Sequence, residues 1–253
     1  MDSEDIRPNR LYDDLAYLWP VLSPPEEYAE EAGHWRTTLH ELLGQGRHVV
    51  LDLGAGGGHN ISHLTADFDV TAVDVSEGML AHSLRLNPSV KHHLGDMRHV
   101  RLGEKFAAVL IHDAISYMLT EDDLRLAIQT AAAHLNPGGV LIMAPDHYRD
   151  TFQGPYVDHR THSGEGIQLT YCDYTYDPDP ADTTIETVYT YFIQRGSRLQ
   201  IEHDRHVTGL FPKSTWARLM AEVGFTFEER TYHLIEDDLD YTLLTGTLTG
   251  SSE

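Results

Sequence analysis

Asp52 stands two positions ahead of a glycine cluster in Val50-Leu51-Asp52-Leu53-Gly54-Ala55-Gly56-Gly57-Gly58. Glycines let the backbone turn sharply and come close to a ligand, and a helix opening after them offers free N–H groups. A second carboxylate, Asp74, follows Gly54 by 20 residues at the end of the next apolar run, with Val75 and Met79 just beyond it. An acidic side chain at that point accepts hydrogen bonds from the two hydroxyls of a ribose. Gly95-Asp96-Met97 follows a third run, where the Asp96 carboxylate is placed to receive an adenine amino group, and His112 ends a fourth. These types and spacings suit the holding of an adenosine, with Gly54, Ala55 and Gly56 as close backbone contacts and Met97 and His112 as walls.

Two cofactors put a ribose there, a nicotinamide dinucleotide and S-adenosyl-L-methionine (SAM). Asp52 separates them, because a carboxylate facing the glycine turn attracts the α-ammonium of SAM and repels a pyrophosphate. Asp96 and the Asn136-Pro137-Gly138-Gly139 turn ahead of a fifth apolar run point the same way. Methyl transfer from a sulfonium is an in-line displacement, for which the protein supplies alignment and a dry cavity. Ligands of open α/β sheets bind beyond the carboxyl ends of the strands. That brings His112, Asp113 and Tyr117 after the fourth strand, and Asp146, His147 and Tyr148 after the fifth, around the methyl group. His147 is the candidate base, since imidazole titrates near neutrality, and Tyr117 the candidate to orient the acceptor through its hydroxyl. No metal is required. His92 and His93 point to opposite faces of a strand, as do His203 and His206, so neither pair can hold one ion.

These residues need a frame. Ser23-Pro24-Pro25 opens a helix that carries Tyr28, Ala32, Trp35, Leu39 and Leu42 at helical spacing and stops at Gly44 and Gly46. Strands over 48–53, 69–75, 90–94, 106–112 and 140–144 then alternate with helices over 60–66, 77–86 and 120–135. Near-continuous apolar strands in this order predict an α/β fold with a parallel sheet covered on both faces. After Pro145 the period changes to two. Residues 167–176, 183–194 and 198–208 alternate, are rich in Tyr, Thr and Ile, and predict an antiparallel meander. A helix over 213–223 and strands over 225–235 and 241–248 follow, then a polar tail, Gly250-Ser251-Ser252-Glu253. We read 1–145 with 211–250 as one core, carrying a helical cover over 1–44. Residues 146–210 are an insertion covering the acceptor, with three strands, too few to stand alone. Its strand edges also offer a homodimer interface.

Composition narrows the partners. The net charge of −22 argues against nucleic acid and against an anionic membrane surface, both of which call for Lys and Arg. Nothing approaches the roughly 20 apolar residues of a membrane span. The acidic start Met1-Asp2-Ser3-Glu4-Asp5 is unlike a signal peptide, and the single cysteine, Cys172, excludes an internal disulfide and fits a reducing cytoplasm.

From Tyr12 to Ala144 the chain resembles the class I SAM-dependent methyltransferases. The resemblance implies a Rossmann-like seven-stranded sheet, mainly parallel, whose last two strands form an antiparallel edge hairpin. The order Leu11-Tyr12-Asp13, Glu27-Tyr28-Ala29-Glu30-Glu31-Ala32 and Gly95-Asp96-Met97-Arg98 is similar to the bacterial N,N-dimethyltransferases of nucleotide-linked amino sugars. That likeness implies an antiparallel sheet inserted after the fifth strand, and Tyr12 and Tyr28 over the methionine end of the cofactor. Those enzymes carry a histidine shortly after the fourth strand, where this chain has Tyr117. The expected function is methyl transfer from SAM to an N or O atom of a small molecule. The competing readings are a SAM-binding regulatory protein without turnover and a nicotinamide-dependent oxidoreductase.

Overall fold

A computed structural model describes residues 3–235 and 238–249, so Met1, Asp2 and the polar tail Gly250–Glu253 lie outside the described residues. The chain opens with 3₁₀ turns over Arg10–Tyr12 and Ala16–Leu18, a short α1 (Trp19–Leu22), a further 3₁₀ turn (Pro25–Tyr28) and α2 (Ala29–Leu43). Then come β1 (His48–Leu53), α3 (His59–Ser62), β2 (Phe68–Asp74), α4 (Glu77–Leu86), β3 (Lys91–Leu94) and β4 (Phe106–Ile111). A 3₁₀ turn over Asp113–Tyr117 leads to α5 (Glu121–His134) and β5 (Leu135–Met143). Four strands follow, β6 (Tyr156–Gly164), β7 (Ile167–Tyr176), β8 (Thr184–Arg195) and β9 (Arg198–Gly209). Last are α6 (Lys213–Val223), β10 (Glu228–Leu234) and β11 (Leu239–Thr247).

The main sheet has the order β10-β11-β5-β4-β1-β2-β3. Strands β1 to β5 pair in parallel, and β11 runs antiparallel to both β5 and β10. This is the Rossmann-like, mainly parallel seven-stranded sheet with an antiparallel edge hairpin that the resemblance implies. One face is covered by α5 and α6 through Leu124, Ile128, Trp216 and Leu219. The other packs on α2 and α3 through Trp35, Leu39 and Ile61. Thr120 caps α5 by accepting the Asp123 N–H, and Ser76 caps α4 by accepting that of Met79.

The second sheet is an antiparallel meander, β6-β7-β8-β9. It has four strands where period-two alternation predicts three. The missed strand, β6, is an edge whose residues are nearly all exposed, so it has no buried face to leave an apolar rhythm. The helix expected over 60–66 is one turn, His59–Ser62, continued by looser turns to Leu64 and Thr65.

The inner face of the meander packs on the N-terminal segment. Ile167, Leu169, Tyr191 and Ile193 meet Leu11, Leu15, Leu18 and Val21 in a third apolar cluster. Asp204 of β9, wholly buried, accepts the backbone N–H groups of Arg10 at 2.8 Å and Leu11 at 2.7 Å. The segment carrying Tyr12 and Trp19 is thus clamped between the second sheet and the carboxyl ends of the first.

Candidate active site

Two cavities meet at the carboxyl edge of the main sheet. The inner one, about 510 Å³, is lined by the glycine turn, Asp52, Asp74, Val75, Met79, Asp96 and Met97 among others. The outer one, about 750 Å³, lies towards the second sheet and is lined by Asp146, His147, Tyr148 and further tyrosines. Six residues line both: Tyr12, Trp19, Tyr28, His112, Asp113 and Tyr117. They form the partition, and any group passed from one cavity to the other crosses it.

The glycine turn is built for close approach. Gly54 has φ +84°, and a Cβ there would overlap Ala114 and come within 2.9 Å of Met97 Cε. Asp74 braces the turn, one carboxylate oxygen accepting the Gly56 N–H and the other that of Ser76, each at 2.8 Å. Burial pushes the Asp74 carboxyl up. Asp96 is held by Arg98 at 2.6 Å, and that hydrogen bond lowers its pKa. Met79 is wholly buried under the cavity floor, whereas Val75 is 65% exposed.

Asp52 is 5% exposed, and among the described residues no hydrogen bond to its carboxylate is found. Burial pushes its pKa up to about 7, with Asp74 and Asp113 adding to the rise and His112 opposing it. A buried carboxylate without a donor is costly, and the cavity side is where a cation can meet it. The donor set of the inner cavity therefore fits SAM: Asp52 for the ammonium, Asp74 for the ribose, Asp96 for the adenine amino group.

His112 is not a free base. Its Nε2 lies 2.8 Å from Glu31 and its Nδ1 3.2 Å from Asp113. Burial pulls its pKa down, but the two carboxylates outweigh burial and raise it well above its ordinary value. Burial opposes ionisation of Glu31 too, yet His112, together with hydrogen bonds from Tyr232 and Trp35, holds it down at about 2. The pair is an imidazolium–carboxylate strut between β4 and α2.

His147 lines the outer cavity only, with Nε2 2.9 Å from the Tyr156 hydroxyl, and burial lowers its pKa. Tyr117 is in the partition. Its hydroxyl lies 3.0 Å from that of Tyr12 and 2.7 Å from Nδ1 of His206. His206 Nε2 in turn lies 2.9 Å from Asp204. Burial lifts the phenols of Tyr12 and Tyr117 well above their usual value, so both stay neutral. Sequence reasoning missed Asp204 and His206 as site residues. The signal was present, because residues two apart on a strand share a face.

A chain can be placed by its relatives once this geometry is known. The dTDP-3-amino-3,6-dideoxy-alpha-D-glucopyranose N,N-dimethyltransferase of Streptomyces fradiae is 30% identical over 236 residues, covering 85% of this chain and 91% of the relative. The chain belongs to the class I SAM-dependent methyltransferases, in their sugar N-methyltransferase branch. A second relative of this methyltransferase is the dTDP-3-amino-3,4,6-trideoxy-alpha-D-glucopyranose N,N-dimethyltransferase of Streptomyces venezuelae. It is 29% identical, over 85% of this chain and 89% of the relative. The methyltransferase-domain family model matches residues 50–139. In fold, the methyltransferase is similar to crystalline DesVI of Streptomyces venezuelae, with TM-score 0.78, 24% identity and 99% of each chain covered. The methyltransferase uses SAM and transfers its methyl group to a small molecule, and neither competing reading is favoured. No helix among the described residues is long and apolar enough to cross a membrane.

Proposed function

We propose that the methyltransferase acts on the amine nitrogen of a small hydroxylated acceptor such as an amino sugar. The observation that carries this reading is the chain of contacts Tyr12–Tyr117–His206–Asp204, which starts in the partition and ends on a buried carboxylate. An amine is protonated at neutral pH and must shed a proton before it attacks. The relatives named above act on amino sugars, which supports the same acceptor atom here.

SAM, when bound, supplies a methyl group on a sulfonium. Asp52 holds the ammonium, Asp74 the ribose hydroxyls and Asp96 the adenine amino group. Gly54, Ala55 and Gly56 bring backbone close, and Val75, Met79 and Met97 enclose the base. Tyr12, Tyr28 and His112 wall the methionine end and exclude water. Before transfer, the Tyr117 hydroxyl donates to the Tyr12 oxygen and lies 2.7 Å from Nδ1 of His206, whose Nε2 faces Asp204. The Tyr12 oxygen then has a lone pair for an acceptor N–H. As a proton arrives, the Tyr117 hydroxyl turns from Tyr12 to Nδ1 of His206 and the Tyr12 hydroxyl turns to Tyr117, so that each passes its own proton along and His206 takes one up at Nδ1. The phenols relay without ionising. His147, on the outer cavity, positions the acceptor through Tyr156.

Residues 146–210 select the acceptor and bind little of the cofactor. We also propose a homodimer through the outward face of the second sheet. There Val157 pairs across strands with Tyr174, and Phe192 with Ile201, all of them exposed. Turnover read as S-adenosylhomocysteine release tests the main reading, with amino sugars set against their hydroxyl counterparts. Methylation of the hydroxyl compounds in preference to the amines would overturn it.

A further inference from the structure

β4 lies between β1, which carries Asp52, and β5, which leads to Asp146. A residue just past its carboxyl end therefore stands between the inner cavity and the outer one. Asp113 is two residues past that end, and of the six residues that line both cavities it is the one carboxylate. Four of the others, Tyr12, Trp19, Tyr28 and Tyr117, are aromatic, and the fifth is His112. One carboxylate among aromatic rings is a lining that suits an organic ammonium ion. The ring faces attract a cation, and the carboxylate supplies a charge-assisted hydrogen bond.

His112 does not use Asp113 up. One imidazolium faces two carboxylates, and Glu31 is the closer, 2.8 Å from Nε2 against 3.2 Å between Nδ1 and Oδ1 of Asp113. Glu31 also accepts from Tyr232 and Trp35. The Asp113 side chain is 50% exposed, and among the described residues no hydrogen bond to its other oxygen, Oδ2, is found. Groups on both sides of the partition feel its charge. After burial, the largest cause in each case, Asp113 raises the phenols of Tyr12 and Tyr28 and the carboxyl of Asp146. It adds to the rise at Asp52, and His112 offsets part of the field at both carboxyls.

We propose that Asp113 is the residue that holds the acceptor's ammonium nitrogen at the partition before its proton is shed. This rests on the amine reading above and names the side chain that recognises the amine. The ammonium gives one N–H to Oδ2 of Asp113 and turns another to the Tyr12 oxygen, where the relay starts. The proton leaves along the relay to His206, and the electron pair of the broken N–H bond stays on nitrogen. Asp113 takes no proton. It keeps hold of a remaining N–H while the freed lone pair attacks the methyl group, so the nitrogen is not lost to the outer cavity once its charge is gone. A hydroxyl acceptor offers no cation for Asp113 to hold, and the same carboxylate therefore favours amine over alcohol.

The test compares an amine with its hydroxyl counterpart. At saturating S-adenosylhomocysteine, wild type and Asp113→Asn are titrated by calorimetry with dTDP-3-amino-3,6-dideoxy-α-D-glucopyranose, the compound in the name of the Streptomyces fradiae relative. The second probe is dTDP-6-deoxy-α-D-glucopyranose, with a hydroxyl in place of the amine. Wild type should prefer the amine by about tenfold or more, and the Asn variant should lose that preference through weaker amine binding alone. Asp113→Glu should keep part of it. With SAM present, Asp113→Asn should raise the KM of the amine by a similar factor and change kcat by less than about threefold. A wild type without amine preference, an Asn variant that keeps it, or an equal loss for both compounds would each overturn the proposal. So would a fall of about 10² or more in kcat at unchanged KM, the mark of a base. Failure of the amine reading has another appearance: wild type methylates the hydroxyl compound faster than the amine.

Discussion

The Tyr117 hydroxyl, just beyond β4, lies 2.7 Å from Nδ1 of His206, which the chain does not reach until β9. The two modules of the fold are therefore joined at the partition by a contact that can carry a proton. His206→Ala should lower kcat by about 10²–10⁴ if the relay serves as the base, with little change in SAM affinity. Tyr117→Phe cuts the same path and should match it. His147→Ala should act mainly on the KM of the acceptor. A pH–rate profile of the three variants with a competent amine decides the matter: a full loss in His147→Ala with none in His206→Ala would move the base to His147.

Asp52 gives a pH signature. Its carboxyl is held at about 7 by burial, so a cationic ligand needs it ionised. With a group of that pKa, SAM affinity should fall about tenfold between pH 8 and pH 6, following the ionised fraction. Asp52→Asn should bind SAM weakly at both pH values and remove the slope. Stability runs the other way. A carboxyl whose folded pKa is raised destabilises the fold progressively from about pH 4, where the unfolded group ionises, up to about pH 7, and by a constant amount above. The ligand-free Asn variant should therefore melt higher than wild type at pH 8, with a smaller gain at pH 5. Calorimetric affinity and Tm at the two pH values check both halves.

Asp74 has two duties, towards the ligand and towards its own loop. Asp74→Ala should weaken SAM binding by about 1–3 kcal/mol, the cost of leaving buried hydroxyls unmet. It also removes the acceptors for Gly56 and Ser76. Asp74→Asn keeps one oxygen and should lose less. Equal calorimetric affinity in wild type and the Ala variant would remove Asp74 from the cofactor site.

Gly54→Ala probes the floor of the inner cavity. The new Cβ has to displace Ala114 and Met97, at a backbone angle that L-residues avoid. Overpacking of this kind costs about 1–3 kcal/mol, and SAM affinity should fall with stability. A variant with wild-type Tm and affinity would show that the turn has slack.

The outward face of the second sheet predicts the oligomeric state. Ile201→Glu or Phe192→Glu should convert a dimer to monomer by light scattering while sparing SAM binding. A wild-type monomer would dismiss the proposed interface outright.

Much of the inner cavity was legible because its parts are local. Asp52 and Gly54 are separated by one residue, and Asp74 ends the strand that pairs directly with β1. Strand period and glycine chemistry suffice for such a site. The partition was harder, since its contacts join distant residues: Glu31 reaches His112 across 81 positions, and Tyr117 reaches His206 across 89. His203 and His206 invited a test for metal ligation and failed it by parity. The informative pair was Asp204 with His206, a carboxylate and an imidazole on the same face. β6 escaped because an exposed edge strand has no hydrophobic rhythm.

Asp204 ties two events into one condition. The same wholly buried carboxylate receives the N–H groups of Arg10 and Leu11, next to Tyr12, and the imidazole that ends the relay. The segment that carries Tyr12 and the imidazole that ends the relay therefore share one anchor, and a change at Asp204 disturbs both at once. In the language of circuits, the two are wired to a single terminal.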